Sequence, residues 1–374
     1  MQAVVNETQE PRQRYKAFGE AIDTIRKRVE KQIGDEDVRY IKKVRRFSRA
    51  MGVTGRVLIH VSPEPVTFFL GVGALWLNKQ LEATEVGHTT LHGVFDGLPG
   101  AEQFQSETFA WDTPIEESSW RYGHNVRHHQ YTNIAGKDGD IHFGPVRLTP
   151  HTPHRAIHYI QVPWMVLEAS QFLFGMNLHF AGVIDATVGN GRPEQLDFLP
   201  DRSKASVRGA WKKSLGKLIP YYAKEYGVFP ALAGPFFWKV ALGNWLASTM
   251  RDYYTAATIY CGHVGEEVAD FTEGTRAHGR GEWYKMQVEA ANNFDVPLPL
   301  SILCGTLDRQ IEHHLFPRFP TNRLREISPE IRRVCEEHGV AYRSEGWVPT
   351  LGKVFRRLWN LSFPDGGTAL PAAA

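Results

Sequence analysis

Residues 310–317 read Gln-Ile-Glu-His-His-Leu-Phe-Pro (QIEHHLFP). His313 and His314 stand side by side. Successive residues on a helix point about 100° apart, so these two imidazoles cannot share one narrow stripe. They must address different places. Leu315, Phe316 and Pro317 are expected to end the helix and turn the chain, because proline cannot continue one.

Two further clusters lie upstream. The first is His88-Thr-Thr-Leu-His92 (HTTLH), directly after the apolar run that ends near Gly87. The second is His124-Asn-Val-Arg-His128-His129 (HNVRHH). On a helix, residues i and i+4 lie one above the other, so His88 and His92 reach one cavity. His124 and His128 repeat that spacing, and His129 points to the side. A lone histidine pair is more often structural or solvated. Three clusters hold seven imidazoles, too many for one mononuclear site. They suit two metal ions sharing a cavity, and imidazole suits iron, zinc or copper.

The rest of the chain sets bounds. It has 374 residues, a formal net charge of +2, 16 histidines and 12% aromatic residues. That balance gives no reason to expect a nucleic-acid partner. The cysteines Cys261, Cys304 and Cys335 form no CxxC pair, which argues against a disulfide framework or a thiolate zinc site. Met1 is followed by a polar stretch rather than a signal-peptide core. Mean hydropathy is −0.34, a value that by itself favours a soluble protein.

The pattern along the chain pulls the other way. Phe18, Ile22, Ile25 and Val29 space as one face of an amphipathic helix within residues 7–35. Residues 39–56 carry Arg39, Lys42, Lys43, Arg45, Arg46, Arg49 and Arg56 and no acid, which reads as a solvated face or as a segment on an anionic leaflet. Residues 57–63 and 65–78 are apolar. Residues 156–184 hold only Glu168 as a formal charge, residues 226–250 only Lys239, and residues 253–263 none. None is a clean run of about twenty apolar residues. Together, with Trp and Tyr near their ends, they predict membrane spans. Residues 202–217, with six basic residues and no acid, predict a cytoplasmic connector. There is no repeat and no strand alternation. The tail after Ser362 is expected to be loose.

Zinc peptidases of the HExxH type need glutamate after the first histidine, where this chain has Thr89. Ferritin-like di-iron proteins need two ExxH motifs. Glu85-Val-Gly-His88 supplies only one.

The boxes HTTLH, HNVRHH and QIEHH resemble the three histidine boxes of the integral-membrane fatty acid desaturases. Residues 120–133 (WRYGHNVRHHQYTN), 260–263 (YCGH) and 310–342 (QIEHHLFPRFPTNRLREISPEIRRVCEEHGVAY) are similar to the membrane acyl-CoA desaturases, particularly the actinobacterial stearoyl-CoA and linoleoyl-CoA branch. The resemblance covers roughly residues 40–360. It implies an all-α integral membrane fold with about four transmembrane helices and a cytoplasmic helical cap holding a di-iron site. On that reading residues 1–50 are an N-terminal interfacial region, 51–362 the membrane domain and 363–374 a flexible tail. The metal ligands it implies are His88, His92, His124, His128, His129, His263, His313 and His314.

The implied chemistry is O2-dependent insertion of a cis double bond into a long-chain acyl group, carried by CoA or a membrane lipid, at two non-haem iron ions. The membrane is expected to be a bacterial inner membrane with the active site on its cytoplasmic face. No acid or base removes a proton from a plain methylene, so the protein's task is to hold the metals and the chain. The sequence has no dinucleotide fingerprint, haem motif or cysteine cluster. Electrons are therefore expected from a separate donor, a flavin/iron–sulfur reductase, a ferredoxin or a cytochrome b5-like protein, with residues 39–56 and 202–217 as docking patches.

Gln310 departs from relatives that place histidine there. It offers an amide, so it is read as a weaker ligand, a water holder or an outer partner. Ile259 likewise stands where some relatives have asparagine. Asp138 and Asp140 could orient a ligand imidazole, although a solvated loop is the simpler reading. His179 is a candidate cavity residue. Arg121 is read as a carrier-phosphate contact or a structural ion pair. His142, His151, His154, His158, His278 and His338 are expected to be structural or exposed. The rival readings are a di-iron hydroxylase, a soluble histidine-rich zinc protein and a membrane scaffold with degenerate boxes.

Overall fold

The computed structural model describes residues 15–189, 191–192 and 194–364. It is mostly helical. The expected face of Phe18, Ile22, Ile25 and Val29 is buried on α1 (Lys16–Glu30). Those side chains pack against Ile327 and Ile331 in a C-terminal cluster. Two long helices follow as a hairpin, α2 (Asp35–Val61) and α3 (Pro65–Leu81). Pro65 opens α3, where its missing N–H costs nothing, and the Glu64 carboxylate caps it by accepting from Thr67 N. The hairpin is tight because Gly55 and Gly71 face the opposite backbone. A Cβ on Gly55 would lie 2.7 Å from Gly71 O.

The middle of the chain is broken into short pieces: α4 (Gln161–Ala169), α5 (Phe172–Phe180) and α6 (Val183–Thr187). Two longer helices follow, α7 (Lys204–Ala223) and α8 (Phe237–His263). The C-terminal third adds α9 (Arg280–Glu289), α10 (Leu298–Cys304), α11 (Gln310–Leu315), α12 (Thr321–Glu337) and α13 (Trp347–Leu361). Two short strands, β1 (Asn293–Asp295) and β2 (Ser344–Gly346), pair in parallel with Asn293 opposite Ser344. This ladder ties the segment before α11 to the start of α13. The main hydrophobic core lies between these layers and includes Val86, Trp111, Trp120, Phe172, Tyr260 and Phe294.

The expectation of about four transmembrane helices is overturned. Among the described residues, no helix is long and apolar enough to cross a membrane. The apolar stretch 156–184 is cut into three α-helices of at most nine residues. α3 has only 17 residues. α8 has 27, but Asn244, Arg251 and Asp252 are buried along it. Part of the apolar composition serves internal packing and part is exposed, and buried polar side chains such as Asn177, His179 and Asn244 interrupt the runs. α2 runs without a break through residue 50, and two of its basic residues turn inward. Arg45 lies over the Phe104 and Phe109 rings, and Arg56 pairs with buried Glu225 at 2.7 Å. The tail after residue 364 lies outside the described residues.

Candidate metal centre

π-helical turns lead into the first box, whose residues 89–91 are α-helical, and carry His124 and His128 of the second. Residues Glu82–His88 continue α3 with π winding, and Arg121–His128 form a second π segment. Such turns carry an extra residue and recur at functional sites. Packing holds the first one in place. A Cβ on Gly87 would fall 1.8 Å from Trp111 Nε1, and that indole donates to Glu82 O at 2.8 Å. Trp120 stacks on His124 with ring centroids 4.5 Å apart.

All eight histidines singled out in the sequence converge. His88, His92, His124 and His313 form one group whose ligating atoms lie within 4.8 Å of one another, and His128, His263 and His314 form a second. His129 sits between them. Its Nε2 is 3.2 Å from His124 Nε2, and its ring stacks on His314 at 4.4 Å. The adjacent pair therefore splits as expected, with His313 in one group and His314 in the other. The i, i+4 pair of the second box also splits, which its spacing does not predict. His124 joins the first box and His128 joins His263.

The nitrogens fit metal ions. His88 Nε2 lies 3.2 Å from His92 Nε2 and 3.3 Å from His124 Nε2. His263 Nε2 lies 3.3 Å from His128 Nε2 and 3.1 Å from His314 Nε2. A neutral ring has one N–H and cannot satisfy two such neighbours. Nitrogens sharing one ion at about 2.0–2.1 Å naturally sit roughly 3–3.4 Å apart. Burial also keeps the rings neutral, the form that ligates metal. It pushes His88 down to about 3 and holds His92, His124, His129, His263, His313 and His314 well below the ordinary imidazole value, with neighbouring imidazoles adding to the effect for each.

His128 is the exception. Burial alone would lower it, but Asp138 and Asp140 outweigh that and raise it to about 9. Asp138 is wholly buried, which overturns the reading of a solvated loop. Both its oxygens lie 3.1 Å from His128 Nδ1, and they also accept from Asn133 N at 2.7 Å and Asp140 N at 2.9 Å. A proton on Nδ1 leaves Nε2 turned toward the second group. Asp140 Oδ2 stands 3.7 Å from Nδ1 of both His124 and His128.

The sequence reading missed Gln287 and Thr132. His314 Nδ1 lies 3.1 Å from Gln287 Oε1 and 3.1 Å from Thr132 Oγ1. Gln287 belongs to α9, far from any box, and nothing in its local sequence marks it.

Gln310 brings its amide into the three-histidine group. Its Nε2 lies 2.6 Å from His263 Nε2 and 3.3 Å from His314 Nε2. Its Oε1 is buried without a partner. Turning the amide over puts the carbonyl oxygen where a ligand would stand. Glu85, by contrast, faces away. It binds Arg325 at 2.8 Å and Thr321 Oγ1 at 2.7 Å, so the ExxH spacing brings no carboxylate to the histidines.

The remaining candidates fall outside the cluster. Arg121 bonds Ser106 O at 2.7 Å and pairs with Glu107 at 3.0 Å. His142 is buried against Asp197 at 3.3 Å. His158 is buried, and its Nδ1 accepts from Arg155 N. His154 bonds Ser362 O, and His278 pairs with Glu282. His179 bonds Gly139 O at 3.1 Å and lines a cavity.

Two cavities with mainly apolar walls meet the cluster. One runs past Phe143, Phe172, Phe180 and Tyr260. The other runs past Ala83, Trp111, Leu173 and Thr255. They share His128, Asp140, Met176, Ile259 and His263. From those shared walls they diverge along α8, one toward Val264 and the other toward Thr255.

Comparison with known proteins agrees with this geometry. The fatty acid desaturase family model matches residues 63–346. The chain is 33% identical to an NADPH-dependent stearoyl-CoA 9-desaturase of Mycobacterium tuberculosis over 349 residues, covering 92% of this chain and 79% of the relative. It is 27% identical to an sn-1 linoleoyl-lipid 6-desaturase of Synechocystis, covering 75% and 77%. It is 26% identical to a Delta 8-(E)-sphingolipid desaturase of Lachancea kluyveri, covering 87% and 56%. The chain belongs to the fatty acid desaturase family.

Proposed function

We propose that this enzyme inserts a cis double bond into a long-chain acyl group presented as its CoA thioester, using dioxygen and external electrons. The observation that carries the reading is the meeting of two apolar cavities against His128 and His263. An alkyl chain lying through both passes the histidine cluster at mid-length, away from either end.

His88, His92, His124 and His313 would hold one iron, and His128, His263, His314 and Gln310 the other, with His129 between them. Iron bound there supplies the dioxygen-derived oxidant that an unactivated methylene pair requires. In the overall balance two hydrogens leave the chain, two electrons and two protons enter from outside, and dioxygen leaves as two waters. The protein's own work is positional. Met176 and Ile259 confine the chain where the cavities join, Trp120 braces His124, and Asp138 and Gln287 fix the outer nitrogens of His128 and His314.

The Mycobacterium relative is named as NADPH-dependent. For this chain we assign the reductant to a separate donor protein, a flavin/iron–sulfur reductase, a ferredoxin or a cytochrome b5-like carrier. We also assign its work to the cytoplasmic face of a bilayer. The exposed Phe69, Leu70, Phe236, Phe237 and Trp238 near the starts of α3 and α8 support that reading.

Expression in a host lacking this desaturation, followed by lipid mass spectrometry, tests the assignment. A new monounsaturated acyl chain is expected, absent with His313→Ala. A hydroxylated chain, or full activity of His313→Ala, would overturn it.

A further inference from the structure

A buried ion network lies beyond the Thr255 end of the second cavity. On α8 the residues His263, Ile259 and Thr255 follow one another at i, i+4 spacing, and all three line that cavity. The next positions on the same stripe are Arg251 and Asp252, both 2% exposed. From α3, Gln80 reaches the same level. It donates to Leu303 O at 3.0 Å, and its Oε1 lies 3.4 Å from Thr255 Oγ1. Thr84, also on the cavity wall, donates to Leu303 O at 2.9 Å.

Behind this floor the charges connect. Arg251 bonds Asp252 at 2.9 Å and the Tyr221 hydroxyl at 2.9 Å. Lys79 lies 3.3 Å from the same hydroxyl and pairs with Glu225 at 2.8 Å. Arg56 closes the set on Glu225 at 2.7 Å. The Leu173 backbone, part of the cavity wall, lies close enough to Asp252 to favour its charged form.

We propose that this network is the chain-length stop, with Gln80, Thr255 and the Arg251–Asp252 pair forming a polar plug against which the methyl end of the substrate rests. The inference rests on the acyl-substrate reading above. A chain too long for the cavity would have to part ions that are already out of water. Leaving a buried charge uncompensated is strongly unfavourable, whereas each further methylene gains little by burial. A hydrophobic pocket end would yield gradually. A paired-ion end sets a sharp limit, and it does so without a bulky side chain.

The test compares the purified, iron-loaded enzyme with Thr255→Leu and with the double variant Arg251→Ala/Asp252→Ala. The double change removes both charges of the pair together. Each protein is titrated with saturated acyl-CoA thioesters of increasing length, read by thermal shift, and the products of turnover are measured by mass spectrometry. The expected result is a sharp loss of binding beyond one length in the wild type. Thr255→Leu moves that length down, and the double variant moves it up with a several-fold rise in longer products. A network that merely clamps helices would weaken all lengths alike. An unchanged length limit in folded Thr255→Leu overturns the proposal even if the double variant fails to fold. Binding with the predicted length shifts but without any unsaturated product would sink the desaturase reading and leave the plug standing.

Discussion

Asp138 grips the outer nitrogen of His128 with both carboxylate oxygens, each 3.1 Å from Nδ1. The contact is buried on both sides. It makes His128 the ligand candidate whose proton is hardest to remove. Asp138→Asn removes the charge and keeps the shape. Losing such an outer partner typically lowers metal affinity by about 10–100-fold. Iron retention during dialysis against a chelator measures this, and retention equal to wild type would exclude the role.

The same pair sets a pH dependence for metal-free protein. His128 is raised from 6.5 to about 9 on folding, so its contribution to stability is full below pH 6.5 and is lost as pH rises toward 9. Iron uptake should run the opposite way, because binding must displace a proton. Chemical denaturation of the apoprotein and iron titration across that window are expected to show opposing slopes.

Gln310→Ala should empty the three-histidine group first. Iron content is expected to fall by about half, with one of two Mössbauer signals lost, since the two groups share no histidine. Gly262→Ala should mimic it, because a Cβ there meets Gln310 Cγ at 2.9 Å. Gln310→His supplies an imidazole and should retain both signals.

Single alanine variants should sort by spatial group rather than by box. His124→Ala and His313→Ala are expected to perturb one iron signal, and His128→Ala and His314→Ala the other. A pattern in which His124 and His128 behave as a pair would contradict the geometry.

Glu85→Ala tests whether the ExxH-like spacing carries chemistry. Glu85 is fully buried against the half-buried Arg325, which keeps its bonds to Ser301 and Tyr40, so losing the carboxylate should cost less than the roughly 3–5 kcal/mol of a fully buried pair. The folded fraction should still bind iron at wild-type stoichiometry. Loss of iron without loss of stability would make Glu85 a ligand.

Much of the site was readable from residue order. The boxes supplied seven imidazoles and the match at residues 260–263 the eighth, and the adjacency of His313 and His314 already required two destinations. The face of α1 was equally plain from Phe18, Ile22, Ile25 and Val29. The apolar stretches misled because hydropathy counts side chains without knowing their partners. Lys79 directly follows one of them and Arg251 and Asp252 stand between two, all buried in ion pairs, and 156–184 is divided by turns. Gln287 was invisible because its link to His314 spans 27 residues and depends on how α9 meets α11.

Sequence alone determined the donor chemistry: which imidazoles exist, their order, and that one branch position carries an amide instead. Only the tertiary structure decided which ring joins which ion. The π winding before His88 and His128 changes the angle at which each ring leaves its helix. The meeting of the end of α8 with α11 and with the second π segment then sets which nitrogens meet within 3.3 Å. Ligand grouping is a property of directions in space, and spacing along the chain fixes those directions only while the helix stays regular.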